Sequence, residues 1–324
     1  MPQGSDPLSP RSSGPLSPRS SGPLSRLRER VRVRARLPWA IAILAGCAHS
    51  GAAPSQPTGA NATEAYLARL IAGDRPAIAA TFSDAPAIDD PFAGAVRGAD
   101  ALDRFVAERY AWLAARAARL TPGPVTRAAG RTVVEATLHL RHEGHDVNLP
   151  IAVVGEDAPA GRVRALRVYH SFWPLEGHHR VRAPLLPRDQ NAHADGAVAD
   201  YQRALAAGDV DAIVAAFEPD GYFREPSGEP WVHRGQAELR KFMTQILGAG
   251  GIGIDHATIT DDGKICAIEF NAVRFGKRAM APQAGLAIYE RGPTGRLHAA
   301  RIYDDVNVEV LQQGAGRVST SPTP

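Results

Sequence analysis

Cysteine is scarce: two occur in 324 residues, Cys47 and Cys266. Cys47 falls in the leader described below, which leaves Cys266 alone in the body of the chain. That excludes an internal disulfide framework, so packing must hold the fold. Cys266 sits inside the apolar run KICAIEF, where a buried inert thiol is the default. Long apolar runs are also missing. The stretch LPWAIAILAG, starting at Leu37, spans about ten residues, half of what a membrane-crossing helix needs. A basic folded surface is lacking too. Net charge is +3 overall, but residues 1–36 carry eight arginines against Asp6 and Glu29, a net of +6, so the remainder is −3. Attraction to a polyanion needs basic residues on the folded surface, and nucleic acid is therefore not an expected partner.

Cofactor and metal motifs fail as well. GAGGIG (Gly248–Gly253) has the glycine spacing of a dinucleotide loop, but it follows a helical pattern and leads into a strand, whereas the fingerprint needs strand, glycines, helix. His139, His142 and His145 lie along a hairpin, where side chains alternate faces and do not converge on a metal. His178-His179 has the same defect. Neither cofactor nor metal is expected.

What the chain does contain begins with a leader. Residues 7–22 are PLSPRSSG written twice, followed by PLSR, a composition that cannot bury a core. It reads as a tail or as translated upstream DNA. The basic RLRERVRVRAR, the apolar stretch and Leu44-Ala45-Gly46-Cys47 then form an export signal with a bacterial lipobox. Cys47 is expected to become the lipidated first residue of an exported, membrane-anchored protein. A plain export signal in which Cys47 is incidental is the alternative.

The rest is written twice. YLARLIAGDRPAIAATFSDAPAIDDP, from Tyr66, matches YQRALAAGDVDAIVAAFEPDGYFREP, from Tyr201; GRVRALRVYHS (Gly161–Ser171) matches GRLHAARIYDD (Gly295–Asp305) at an offset of 134. Ordered landmarks at a near-constant offset mean duplication of a whole domain. The organisation is a disordered leader 1–36, an apolar segment with lipobox 37–47, a linker 48–61, a first domain 62–173, a strap 174–194, a second domain 195–310 and a tail 311–324. Each domain opens with an alanine-rich helix (62–72, 195–207) that ends at Gly73 or Gly208. A short helix, a brief strand carrying the acid before proline, a third helix (GADALDRFVAERYAWLAARAARL or GQAELRKFMTQIL) and a run of antiparallel strands follow. Helices first and strands after give an α+β fold, a curved sheet wrapped around three helices. With the proline-bearing strap between them, the two sheets are expected to pair within one chain as a pseudo-dimer.

The order Tyr, Gly-Asp, Phe, acid-Pro, Arg-Gly and a closing Arg-x-Tyr strand resembles the nuclear transport factor 2-like superfamily, and within it the SnoaL-like and ketosteroid isomerase branch. The resemblance covers roughly 62–173 and 195–310, and none of the leader. It implies cone-shaped domains with apolar floors. It also implies that Tyr66 and Tyr201 fall on the tyrosine that donates to a substrate oxyanion, and Asp90 and Glu225 on the general base. The bland alternatives are a packed tyrosine and an acid serving turn chemistry. The family's second oxyanion donor, a protonated acid on a late strand, has no counterpart. Gly285 takes its place in the second repeat, and an apolar residue between Ile151 and Val153 in the first. Losing one such donor typically lowers the rate about 10²–10³-fold, so a full ketosteroid isomerase mechanism is not expected. His170 and Asp304, after Tyr169 and Tyr303, are the remaining candidate pocket groups, with a face toward the neighbouring domain as their alternative. The expected function is cofactor-free proton transfer on a hydrophobic carbonyl compound (isomerase, cyclase or dehydratase type). The alternative is a binding module for an apolar ligand or a protein partner. Repeat 1, with aspartate and His170, is the better candidate on sequence alone.

Overall fold

A computed structural model describes residues 61–248, 250–303 and 305. In the first repeat α1 (Ala62–Ala72), α2 (Arg75–Ala79), β1 (Ala87–Asp90), β2 (Gly94–Arg97) and α3 (Ala99–Ala114) precede β3 (Arg119–Ala128), β4 (Arg131–His142), β5 (His145–Asp157) and β6 (Val163–Tyr169). A one-turn helix α4 (Trp173–Glu176) lies in the connecting segment. The second repeat has α5 (Gly196–Ala207), α6 (Val210–Ala216), β7 (Phe217–Arg224), β8 (Val232–Arg234), α7 (Gly235–Leu247), β9 (Ile252–Asp261), β10 (Ile265–Phe275), β11 (Arg278–Arg291) and β12 (Leu297–Ile302).

Local chemistry fixes the helix ends. The Asn61 side chain accepts from Thr63 N at 2.9 Å while Glu64 Oε1 accepts from Asn61 N at 3.0 Å, a reciprocal cap for α1. Gly73 and Gly208 close α1 and α5 in the left-handed conformation, φ 68° and 74°. At Gly208 a side chain would also run into the backbone of Gly250-Gly251. Asp74 and Asp209 then cap α2 and α6 by accepting from Ala77 N and Ala212 N.

The two sheets have the same order, β2-β1-β6-β5-β4-β3 and β8-β7-β12-β11-β10-β9. Neighbours are antiparallel except β1 with β6 and β7 with β12, which are parallel. The sheets are thus mixed, because the chain enters each one beside its last strand and builds the rest as hairpins. β3 differs from the sequence expectation of a helix running to Leu120: α3 ends at Ala114 and RLTPGPVTRA is a strand. Its two prolines are tolerated because β3 is an edge strand, and pairing with β4 is interrupted between Pro122 and Val125.

The central strands explain how the halves meet. Leu149 through Val154 are all buried, so both faces of β5 are covered. Leu149, Ile151 and Val153 face the core of the first repeat, whereas Ala152 and Val154 join a separate cluster with Val133 and Tyr169. That cluster also contains Ala267, Leu286, Ile288 and Tyr303 of the second sheet. Each of these four is a residue of the first set displaced by 134 positions. The same face of each repeat therefore covers its own copy, as in an isologous two-fold contact. The strap is stitched to the second sheet through Ala284 N to Arg182 O at 2.9 Å, Asn271 Nδ2 to Leu186 O at 3.0 Å and Asp189 N to His256 O at 2.9 Å. Its start is held by Asp305, which accepts from Phe172 N at 2.9 Å and Arg180 N at 2.7 Å and pairs with His179 at 2.9 Å.

Candidate functional site

Each repeat encloses a cavity between its helices and the concave face of its sheet, and the two cavities differ in size. In the first repeat Tyr66 enters from α1, Asp90 from the end of β1 and His170 from just beyond β6. All three line one cavity of about 30 Å³ with Phe92, Arg109 and Trp112, room for one water and no more. The Tyr66 hydroxyl is fully buried and has no hydrogen-bond partner among the described residues. Burial first, and then the negative charge of Asp90, push its ionisation well above the usual tyrosine range, with Arg109 opposing. Asp90 Oδ1 is already engaged three times: by Phe92 N at 2.9 Å, Ala93 N at 3.0 Å and Arg109 Nη2 at 2.9 Å. The first two close an Asx turn through Pro91, so the acid before proline has the turn role as well as a place in the pocket. His170 packs against Phe92, ring centroids 5.0 Å apart, and its Nδ1 lies 3.1 Å from Ser171 O. Burial pulls its pKa down to about 4 despite the opposing Ser171 carbonyl and Asp90, so the imidazole is neutral at pH 7.

The second cavity is about 150 Å³ and is walled by Leu205, Phe223, Phe242, Phe270, Phe275 and Tyr289 among others. Tyr201 and Glu225 line it. Burial drives the hydroxyls of Tyr201 and Tyr289 above the usual range, and Gln202 Nε2 donates to Tyr289 at 2.5 Å. Glu225 stands at the boundary with an outer chamber of about 250 Å³ that also contains Trp231, His233, Glu238 and Lys241. His233 Nε2 lies 2.7 Å from Glu225 Oε1, and its ring stacks on Phe242 at 3.8 Å. An apolar inner chamber thus shares the wall formed by Glu225, Phe242 and Ile246 with an outer one that carries the acid–imidazole pair and further charged side chains.

Tyr66, Asp90 and His170 share one cavity, and Tyr201 and Glu225 line the other, while Asp304 lies outside the described residues, as does Cys47. Gly285 pairs with Phe270 on β10 as Ile151 pairs with Ala136 on β4. A side chain at Gly285 would collide with the Phe270 ring, so an aromatic wall of the cavity occupies the position where the resemblance would place a proton-donating acid. Sequence reasoning missed Arg109, His233 and Asp305. Arg109 had a signal: it shares one helical face with Phe105, Trp112 and Leu113, a lone cation on an apolar stripe. For His233 the strand VHR gives none.

The comparisons with known proteins bear on this geometry. Residues 198–301 match the SnoaL-like domain family model. No curated protein sequence matches the chain. Among solved structures, the epoxide hydrolase/cyclase-like enzyme SalBIII, described in connection with pyran ring formation in the polyether salinomycin, is 24% identical; the match covers 33% of this chain and 86% of that one, with a TM-score of 0.28. An NTF2-like protein of unknown function from Cytophaga hutchinsonii is 14% identical over 34% of this chain and 87% of its own, again with a TM-score of 0.28. Residues 198–301 of the second repeat thus form a SnoaL-like domain, and the first repeat has the same strand order in tandem with it.

Proposed function

We propose that the chain is a binding protein for a small hydrophobic compound, which it takes up in the second cone and not in the first. The observation that carries this is the difference between the cavities, about 150 Å³ against about 30 Å³. An apolar cavity of the larger size accepts a benzene-sized group, and the outer chamber gives room for a polar end beside Glu225 and His233. In the first cone Phe92, Trp112 and Arg109 fill the space that a ligand would need. The preference for repeat 1 drawn from aspartate and His170 is therefore reversed in favour of repeat 2.

A second reading rests on the 2.7 Å Glu225–His233 contact. A carboxylate coupled to an imidazole can take a proton from carbon and pass it to solvent without a cofactor, which fits isomerase, cyclase or dehydratase chemistry on a carbonyl compound. Binding is the primary reading because Glu225 is held at the rim, partly exposed, and not sealed in the apolar chamber. The lipobox makes the whole an exported, lipid-anchored receptor in this proposal.

Fluorescence titration of 1-naphthol into the full chain tests it. Ala272 lines the inner chamber, and Ala272→Phe is expected to weaken binding at least about tenfold, the loss of a few apolar contacts, with the melting temperature retained. Unchanged affinity in a folded variant would remove the second cone from the account. For the second reading, Glu225→Gln should abolish turnover of any carbonyl substrate while leaving its binding within about threefold.

A further inference from the structure

The duplication makes each repeat a control for the other, and one of the breaks in charge between them falls where β7 meets β12. In the first sheet Asp89 stands beside Arg167 on the neighbouring strand, and Arg97 Nη2 donates to Asp89 Oδ1 at 2.6 Å. In the second sheet the register partner of Arg301 is Arg224, and the counterpart of Arg97 is Arg234, paired across the hairpin with Tyr222 as Arg97 is with Ala87. An acid–arginine pair has become two arginines. Neither forms an ion pair with a carboxylate among the described residues. Arg234 lies over the Tyr222 ring at 4.5 Å and Arg224 over the Tyr303 ring at 4.4 Å. Arg224 Nη2 donates to Ile302 O at 3.4 Å, and its buried Nε has no hydrogen-bond partner among the described residues, which is rare for a buried donor.

Both arginines line a cavity of about 370 Å³ that lies outside the two cones and is shared by the two sheets. Thr137, His139 and Asn148 come from the first repeat, Tyr222, Arg224 and Arg234 from the second. Arg301 also borders it, but its guanidinium is taken by Glu135 and Glu290. The one carboxylate on the lining is Glu229, exposed at the edge and in no ion pair with either arginine. Two planar guanidinium groups without a carboxylate partner among the described residues, with amide and hydroxyl groups opposite, make a receptor for an oxyanion, which accepts from the paired N–H donors of arginine.

We propose that this cavity between the repeats is a second binding site, for the carboxylate or phosphate group of a small anion. Arg224 and Arg234 supply the charge, and His139 and Asn148 close the site from the first repeat. The site exists only because the duplicated sheets pair within one chain, since its two walls come from different repeats. It is independent of any ligand in the second cone.

Isothermal titration of the full chain with inorganic phosphate and, separately, with succinate is the test. Saturable binding of at least one probe is expected, weakened at least about tenfold by Arg224→Gln and by Arg234→Gln, since each removes a charge-assisted donor. Phosphate alone binding would assign the site to phosphorylated compounds, succinate alone to carboxylates, and either supports the proposal. A further variant, Arg224→Asp, restores the pairing seen in the first repeat and should abolish binding while the melting temperature holds or rises. No saturable binding of either probe to the wild-type chain, or binding that these variants leave unaltered, would overturn the proposal.

Discussion

Arg167 and Glu269, 102 residues apart, form a two-point ion pair across the paired sheets: Nε to Oε1 at 2.5 Å and Nη2 to Oε2 at 2.7 Å. Arg301 and Glu135 repeat it at 2.6 and 2.8 Å, each residue displaced by 134 positions. Tyr169 donates its hydroxyl to Glu269 and Tyr303 to Glu135. All four charged groups are buried, so each pair stands or falls together. Arg301→Ala should lower stability by about 3–5 kcal/mol by stranding Glu135, whereas replacing both partners with apolar residues should lose far less. Urea denaturation of the single and double variants checks this; a single-variant loss under about 1 kcal/mol would mean that the pair is solvated.

His170 predicts a pH dependence with a definite sign. Its folded pKa, about 4, lies below the unfolded value near 6.5, so between these values the unfolded chain binds more protons. Stability therefore rises with pH across that window and falls on acidification from 6.5 to 4. The full loss is on the order of 3 kcal/mol for a buried group at 1.36 kcal/mol per unit, and His170→Phe should flatten the slope there.

Below that window different groups take over. Burial works against the ionised forms of Glu269 and Asp305, but hydrogen bonds outweigh it and hold both carboxyls below their usual range: Arg167, Thr258 and Tyr169 at Glu269, and His179, Arg180 N, Ser171 and Phe172 N at Asp305. Their contribution is complete above the unfolded carboxyl values of about 4 and is lost as pH falls through the depressed ones. The His170→Phe variant should keep this second, more acidic decline, and its absence would mean that neither carboxyl is held as described.

The leader gives a prediction of its own. Cys47→Ser should abolish partitioning of the bacterially expressed protein into detergent and should block leader processing at that residue. Unchanged fractionation and processing would remove the lipid anchor from the account.

Much of this was legible because duplication marks itself. Tyr66 and Tyr201, the helix-ending Gly73 and Gly208, and the closing Arg-x-Tyr strands stand at matching positions, and each is required by local geometry or by the cone. The inter-repeat clamp had the same signal, since Glu135, Glu156, Arg167 and Tyr169 recur as Glu269, Glu290, Arg301 and Tyr303, but charge in an apolar strand reads as a solvent face until both faces are known to be covered. β3 was hidden because Pro122 and Pro124 argue against a strand, and only its place at the edge removes the objection. The size of the cavities was not legible at all. It depends on where Phe92, Trp112 and Phe270 lie, which is a property of packing and not of spacing.

The most direct measurement is the number of apolar ligands bound at saturation. Equilibrium dialysis of 1-naphthol against the full chain should give one equivalent per chain, falling to none in Ala272→Phe, with a crystal structure of the complex placing it between Tyr201 and Phe270. Two equivalents per chain, or a single one lodged between Tyr66 and Asp90, would contradict the assignment of ligand binding to the second cone.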